Sequence, residues 1–205
     1  MNNHIAIILA GGSGERFGGK KQFIEFAGKT LWKHVYDKTL KILPKENIVV
    51  VGVDIEGGKT RSFSIINGLK YFCNKGKKYN KVIILEAARP LVTEHQIANL
   101  LEKTNKSATY IMPLVNTVIK RDGTYCNRED YYDLLTPQCF DFEMLYKAYN
   151  IEKDWNMTDE TRLMFETYGV SPEFIEGGQN LIKLTYKKDL PILEHLLKMQ
   201  EERII

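Results

Sequence analysis

The chain begins with an apolar run at 5–9, and two similar runs recur at 47–53 (NIVVVGV) and 81–85 (KVIIL). None alternates strictly between apolar and polar, so each predicts a strand buried on both faces. Between the runs the apolar spacing turns helical. Over 30–42 (TLWKHVYDKTLKI), Leu31, Val35, Tyr36 and Leu40 share one face. Residues 61–71 read as a second helix. Thr93, with Gln96 three positions on, has capping-box spacing and starts a third helix that runs to about 103. Continuous apolar strands alternating with helices predict an α/β, Rossmann-like fold, a mostly parallel sheet with helices on both faces. Ligands of such sheets sit at the carboxyl ends of the strands. That rule gathers the segments 11–21, 54–61 and 86–90 at one mouth.

After residue 108 the pattern changes. Residues 108–115 are strand-like. Segments 118–120 and 124–126 flank Arg121-Asp122-Gly123, a hairpin signal that predicts a projecting β-arm at about 112–128. Helices are predicted at 141–149 and 158–167, a late strand at 182–186 and a closing helix at 190–201. No repeat, low-complexity stretch or linker divides the chain, so 1–205 reads as a single domain, a length that supports one good core.

Composition narrows the function classes. The chain is 43% hydrophobic and 27% charged with net charge +3, which makes no case for nucleic acid as a partner. The basic run KGKKYNK at 75–81 reads as a solvated loop. Cys73, Cys126 and Cys139 are odd in number and lack C-x-x-C spacing, which argues against a disulfide framework and a zinc site. No apolar run approaches the ~20 residues of a membrane helix, and the first residues lack the pattern of a secretory leader. The expectation is a cytoplasmic protein without a membrane partner. His4, His34, His95 and His195 share no metal spacing, and Trp32 and Trp155 read as packing residues.

The chemistry concentrates in ILAGGSGERFGGKKQF, residues 8–23, where five glycines stand beside Arg16, Lys20 and Lys21. Glycines let backbone N–H groups approach phosphate oxygens. An arginine forks onto two of those oxygens, and a lysine adds a point charge. Two common phosphate motifs fail here. A Walker A loop needs a hydroxyl where Lys21 stands, because that hydroxyl holds the metal. A dinucleotide fingerprint needs a third glycine where Phe17 stands, and the acid expected ~20 residues on is replaced by the 30–42 helix. What remains is L-A-G-G-x-G-x-R followed by a basic pair, a grip for a nucleoside triphosphate.

In these residues and in those that follow them, the chain resembles the cytidylyltransferases that make 4-diphosphocytidyl-2-C-methylerythritol and their relatives that make CDP-ribitol. The resemblance covers nearly the whole chain in order: LAGGSGERFGGKKQF, GGKTRSFSIINGL at 57–69, EAARP at 86–90, NTVIK at 116–120, R…LLTPQCF at 128–140, TDET at 158–161 and GGQNLIKLTYKKDL at 177–190. It implies a nucleotidyltransferase fold of the GT-A-like kind, a homodimer whose β-arms reach across to the partner, and transfer of CMP from CTP to a phosphorylated small molecule with Mg²⁺. By the same resemblance Arg16, Lys21 and Lys183 are catalytic. Ala10, Gly11, Gly12, Ser13, Gly14, Gly58 and Ser64 bind the nucleotide, and Glu86 binds the metal. Arg89, Thr117, Arg128 and Thr158 bind the acceptor, Thr117 and Arg128 from the arm and so toward the neighbouring subunit. Retention of Arg16, Lys21, Glu86 and Lys183 argues against a non-catalytic nucleotide-binding relative.

The chain departs from the family at three places. Leu85-Glu86 stands where His-Asp is usual, the loop between Arg16 and Lys21 is short and lacks a proline, and an aspartate near Lys183 is missing. These departures turn the acceptor expectation toward a ribitol 5-phosphate-like polyol or sugar phosphate of surface-glycan synthesis, with 2-C-methyl-D-erythritol 4-phosphate of isoprenoid synthesis as the alternative.

Overall fold

The structure, a computed structural model, describes residues 3–151 and 157–202. Trp155 lies outside the described residues. The first apolar run forms β1 (His4–Leu9). A short antiparallel pair, β2 (Glu25–Phe26) and β3 (Lys29–Thr30), leads into helix α1 (Leu31–Leu40). Next come β4 (Ile48–Val51), α2 (Arg61–Cys73), β5 (Lys81–Glu86) and α3 (Glu94–Glu102). The capping box of Thr93 and Gln96 is formed at the start of α3. β1 lies between β4 and β5 and is parallel to both.

The second half adds β6 (Ser107–Pro113), the hairpin strands β7 (Val118–Ile119) and β8 (Tyr125–Cys126), and the long β9 (Tyr132–Asp141). Helices α4 (Phe142–Ile151) and α5 (Glu160–Tyr168), the edge strand β10 (Glu173–Glu176) and helix α6 (Leu190–Glu201) complete the chain. The six-stranded sheet has the order β10-β6-β9-β5-β1-β4. β9 runs antiparallel to both its neighbours, and the other pairings are parallel. The sheet is therefore mostly parallel, as the continuous apolar runs predict.

Those runs are continuous because both faces are covered. Ala6, Ile8, Val50, Ile83 and Leu85 pack on one face with Val35 of α1 and Ile97 and Leu100 of α3. Ile5, Ile7, Val49, Val51 and Ile84 pack on the other with Ile65, Leu69 and Phe72 of α2, Leu145 of α4 and Leu163 of α5. Successive side chains point to opposite faces of a strand, so a strand between two helical layers must be apolar at every position. A third cluster joins Phe17, Leu31, Leu91 and Leu184 to Leu193 and Leu196 of α6. It anchors the chain's end beside the glycine loop.

Several expectations need correction. The strand expected over 47–53 stops at Val51, because Gly52 turns with φ +101°. A Cβ there would stand 2.6 Å from the Ala10 carbonyl, so only glycine fits. Leu40 is exposed, and Thr39 takes the buried place, its hydroxyl donating to Val35 O at 2.8 Å. Residues 182–186 do not form a strand. They cross the mouth of the sheet between two 3₁₀ turns, with Leu184 N–H donating to Ala88 O at 2.8 Å. The edge position beside β6 belongs instead to β10. β9 was not foreseen: Pro137 inside it argues against a central strand by sequence. In the structure the Thr136-Pro137 bond is cis, and the facing register shifts between Thr109 and Tyr110.

Candidate active site

The glycine loop leaves β1 at the carboxyl edge of the sheet. Ala10 N–H donates to Val51 O at 2.8 Å, extending the β1–β4 pairing by one residue. The chain then folds into a tight turn at Gly14, whose φ is +71°. The Gly14 carbonyl accepts from Phe17 N–H and Gly18 N–H at 2.9 Å and from Gly19 N–H at 3.1 Å. A Cβ on Gly14 would lie 1.8 Å from the Gly19 carbonyl oxygen. Buried Gln22 braces the loop from behind, donating from Nε2 to Gly12 O at 3.1 Å. The loop's shape is thus set by its own hydrogen bonds.

The second wall is the start of α2. Ser64, buried in the first turn, accepts from Gly58 N–H at 3.0 Å and donates to Thr60 O at 3.2 Å. A Cβ on Gly58 would stand 2.1 Å from the Phe63 Cβ, so this corner also requires glycine. A Cβ on Gly11 would come to 3.0 Å from the Gly57 Cα, so the two loops touch through bare backbone.

The third wall carries the acid. Glu86 ends β5 and is buried, 8% exposed. Its Oε1 accepts from Arg61 Nε at 3.3 Å, and its Oε2 lies 2.5 Å from Lys183 Nζ. Burial would raise its pKa, but Lys183, then Arg61, then Arg89 outweigh burial and hold it at about 2. It is a carboxylate at every working pH. Lys183 arrives on the 182–186 segment, and the same segment holds Lys21, whose Nζ donates to Leu184 O at 2.5 Å. Burial first and the neighbouring Lys183 second lower the pKa of Lys21. Arg16, by contrast, is exposed at the rim.

Together these walls enclose a cavity of about 820 Å³. Of the residues predicted from sequence, Ala10, Gly11, Gly12, Ser13, Gly14, Arg16, Lys21, Gly58, Ser64, Glu86 and Lys183 line it. The carboxyl-end rule thus brought the expected segments to one mouth. The acceptor residues are not among the lining. Arg89 is turned into the protein, donating from Nε to Thr136 Oγ1 at 2.8 Å and from Nη1 to Leu181 O. Thr117 is exposed next to β7, and Arg128, following β8, is exposed and donates to Val115 O. Thr158 is exposed just before α5, where Asp159 Oδ1 accepts from Thr161 N–H at 2.8 Å as the helix cap.

Sequence reasoning passed over Gln22 and Arg61, and Lys20, Lys59 and Thr185 also line the cavity. Arg61 had a legible signal. It is the first residue of α2, where a cation opposes the helix dipole. An arginine there needs carboxylates from elsewhere, and it has two, Glu86 and Glu160.

Among the described residues no three of His, Cys, Asp and Glu gather as a metal cage. Glu86 offers a single ionised carboxylate, whose Oε2 is buried with a charge neighbour but no directional hydrogen bond. This donor set fits Mg²⁺ arriving with a triphosphate, since Mg²⁺ commonly takes one or two carboxylates and completes its shell with phosphate oxygens and water. It does not fit a cage made from protein alone.

Comparison with known proteins adds to this geometry. The family model described as IspD: 2-C-methyl-D-erythritol 4-phosphate cytidylyltransferase matches residues 53–199. A 2-C-methyl-D-erythritol 4-phosphate cytidylyltransferase of Thermotoga neapolitana is 33% identical over 231 aligned positions, covering 98% of this chain and 99% of its own. The structure of the bifunctional IspDF from Campylobacter jejuni superposes with a TM-score of 0.81 at 26% identity over 94% of this chain. This chain spans about half of that one, 55%. The 4-diphosphocytidyl-2C-methyl-D-erythritol synthase of Anaerococcus prevotii superposes with a TM-score of 0.75 at 23% identity, covering 96% of each chain, a likeness of fold.

Proposed function

We propose that this chain, which belongs to the 2-C-methyl-D-erythritol 4-phosphate cytidylyltransferase family and is a nucleotidyltransferase, transfers CMP from CTP to 2-C-methyl-D-erythritol 4-phosphate. A phosphate oxygen of the acceptor bonds to the α-phosphorus of CTP. The bond from that phosphorus to the β-phosphate oxygen breaks, and pyrophosphate leaves with the electron pair. The ribitol 5-phosphate-like acceptor favoured by the sequence departures has no support in the relatives compared, whose names state methylerythritol. One observation carries the reading: Arg16, Lys21 and Lys183, three of the cations lining a glycine-walled cavity, share it with a buried carboxylate, Glu86.

The acceptor phosphate is already an anion, so the reaction needs no general base. Its difficulty is bringing polyanions together and holding the charge of the crowded transition state, which positioning and fixed cations address. In this reading the N–H groups of the Gly11–Gly14 turn receive the triphosphate, with Arg16 closing over it from the rim. Lys21 leaves Leu184 O, and Lys183 leaves Glu86, for the phosphate oxygens. Glu86 is the residue that would hold Mg²⁺, and the bound ion would supply charge neutralisation on the phosphates. Gly58 and Ser64 form a narrow corner for the pyrimidine. Thr158 and Arg89 contribute to the acceptor side, Arg89 through a turn of its side chain away from Thr136.

The same reading makes the protein a homodimer. A pair of two-residue strands is not stable in isolation, yet β7 and β8 carry Ile119 and Tyr125 exposed, with Val115 exposed beside them. Covering that surface with a second copy would place Thr117 and Arg128 at the partner's cavity.

The test is pyrophosphate release with CTP and Mg²⁺ against methylerythritol 4-phosphate, ribitol 5-phosphate and other polyol and sugar phosphates. Release with methylerythritol 4-phosphate alone is the expected result. Release with ribitol 5-phosphate alone would return the acceptor to the polyol class, and silence with every acceptor would overturn the assignment.

A further inference from the structure

Behind the cavity wall lies a buried ionic chain that the transfer chemistry above does not use. Arg61 donates from Nε to Glu86 Oε1 at 3.3 Å and from Nη1 to Glu160 Oε2. Glu160, the first residue of α5, is fully buried, and its Oε1 accepts from the Tyr149 hydroxyl of α4 at 2.8 Å. The neighbouring residue, Ser62, ties the same helix start to Met157 O at 2.8 Å. One guanidinium therefore connects the acid at the end of β5 to the α4–α5 layer.

The arrangement is expensive for a purely structural contact. Arg61 sits in the first turn of α2, against the helix dipole. Both carboxylates are desolvated, and a buried ion pair is often no better for stability than apolar packing of the same volume. Glu160 alone would neutralise Arg61. Instead the guanidinium also faces the cavity and engages Glu86 there. Burial would lower the pKa of Arg61, but Glu160 and Glu86 more than reverse this, so its charge is permanent.

We propose that Arg61 is a positioning residue for the transfer reaction, fixing the Glu86 carboxylate through Oε1 so that Oε2 alone exchanges between Lys183 and the incoming magnesium–nucleotide. Glu160, held by Tyr149, is the anchor that keeps the guanidinium from swinging into the cavity and onto the phosphates. The proposal rests on the reading of this cavity as the cytidylyltransferase site. Glycine-loop contacts bind CTP without Arg61, so its loss falls on metal placement and turnover and spares nucleotide affinity.

Arg61→Lys keeps the charge but loses the rigid planar fork that aims separate N–H groups at Glu86 and Glu160. Thermal melts and circular dichroism first establish folding. With the folded variant, kcat should fall ~10–100-fold with KM for CTP within ~3-fold, the pattern of an interaction made in the transition state. The Mg²⁺ concentration for half-maximal rate should rise ~5-fold or more, and electron paramagnetic resonance titration of Mn²⁺ with enzyme and CTP should show the same weakening. Glu160→Gln keeps an acceptor for Tyr149 and releases Arg61, so it should move the same readouts in the same direction. The double variant should cost less than the two single effects multiplied, as expected for one connected unit.

A folded Arg61→Lys with wild-type kcat and metal dependence overturns the proposal, as does a loss carried entirely by KM for CTP. If Arg61→Lys does not fold, Glu160→Gln decides by the same criteria. If wild-type enzyme is silent with every acceptor, the acceptor reading has failed, and the Mn²⁺ titration still decides the role of Arg61.

Discussion

At Gly14 the backbone turns with φ +71°, and the room for a side chain is taken by the Gly19 carbonyl. Gly14→Ala must open that turn, at a strain of ~1–3 kcal/mol. Calorimetry should show CTP affinity reduced ~10-fold or more, since an opened turn no longer aims its N–H groups. Lys21 makes a different kind of contribution. Its ammonium donates to Leu184 O, a partner that water can replace. Lys21→Ala should therefore leave the melting temperature nearly unchanged while turnover falls ~10²–10³-fold, the usual loss for a transition-state donor. Wild-type rates would remove it from the catalytic set. Glu86 leaves a signature in stability. Its pKa stands at about 2 against an ordinary 4.5, so the unfolded chain takes up this proton first as pH falls. Its stabilising contribution is complete above about pH 4.5, declines below that and is gone near pH 2. Urea midpoints between about pH 5 and pH 3 should fall for wild type and fall less steeply for Glu86→Gln.

The segment 182–186 has no regular structure and carries Lys183, a lysine the proposed reaction uses. Leu184 N–H donates to Ala88 O, the Leu184 side chain packs in the cluster with Phe17 and α6, and Asp189 Oδ2 braces the turn that follows by accepting from Thr185 and Tyr186 N–H. These restraints aim Lys183 at Glu86 and offer Lys21 its carbonyl. Leu184→Ala removes a fully buried side chain, and such truncations cost ~2–5 kcal/mol. Loosening the segment should also lower kcat, because in the proposed reaction it carries Lys183 and supports Lys21. Denaturation and steady-state kinetics on the same preparation would show both effects, and a loss of stability at unchanged kcat would make the segment a passive cover.

Across the whole molecule, the cavity lies where the parallel half of the sheet presents its carboxyl ends, and its lining includes no residue of the hairpin. In the proposed dimer each site needs Lys21 from one chain and Arg128 from the other. Lys21→Ala and Arg128→Ala should each be nearly inactive alone. Unfolded together and refolded, they should recover about a quarter of wild-type activity, because half the dimers are mixed and each of those has one intact site. No recovery, with mixed dimers demonstrated by mass, would confine the site to one chain.

Much of this was legible in the sequence, for reasons that are local. Apolar runs without alternation announced β1, β4 and β5, the capping-box spacing placed α3, and Arg121-Asp122-Gly123 placed the hairpin turn. The glycine loop and its cations were equally plain, because bare backbone beside arginine and lysine has few other uses. What escaped was non-local. β9 hides its strand character behind Pro137, and only its neighbours β5 and β6 supply the hydrogen bonds that make it a strand. Residues 182–186 have strand composition, yet β10 already occupies the sheet edge and their own bonds go to Ala88 and Lys21. Arg61 showed in the sequence only as a cation at a helix start, because the partners that give it a role are 25 and 99 positions away. The sequence by itself determined the layers and the glycine loop, since these follow from periodicity and residue type, and its resemblance to the cytidylyltransferases implied the reaction class. Tertiary structure alone decided which charges meet, because an ion pair is a matter of distance in space and not along the chain.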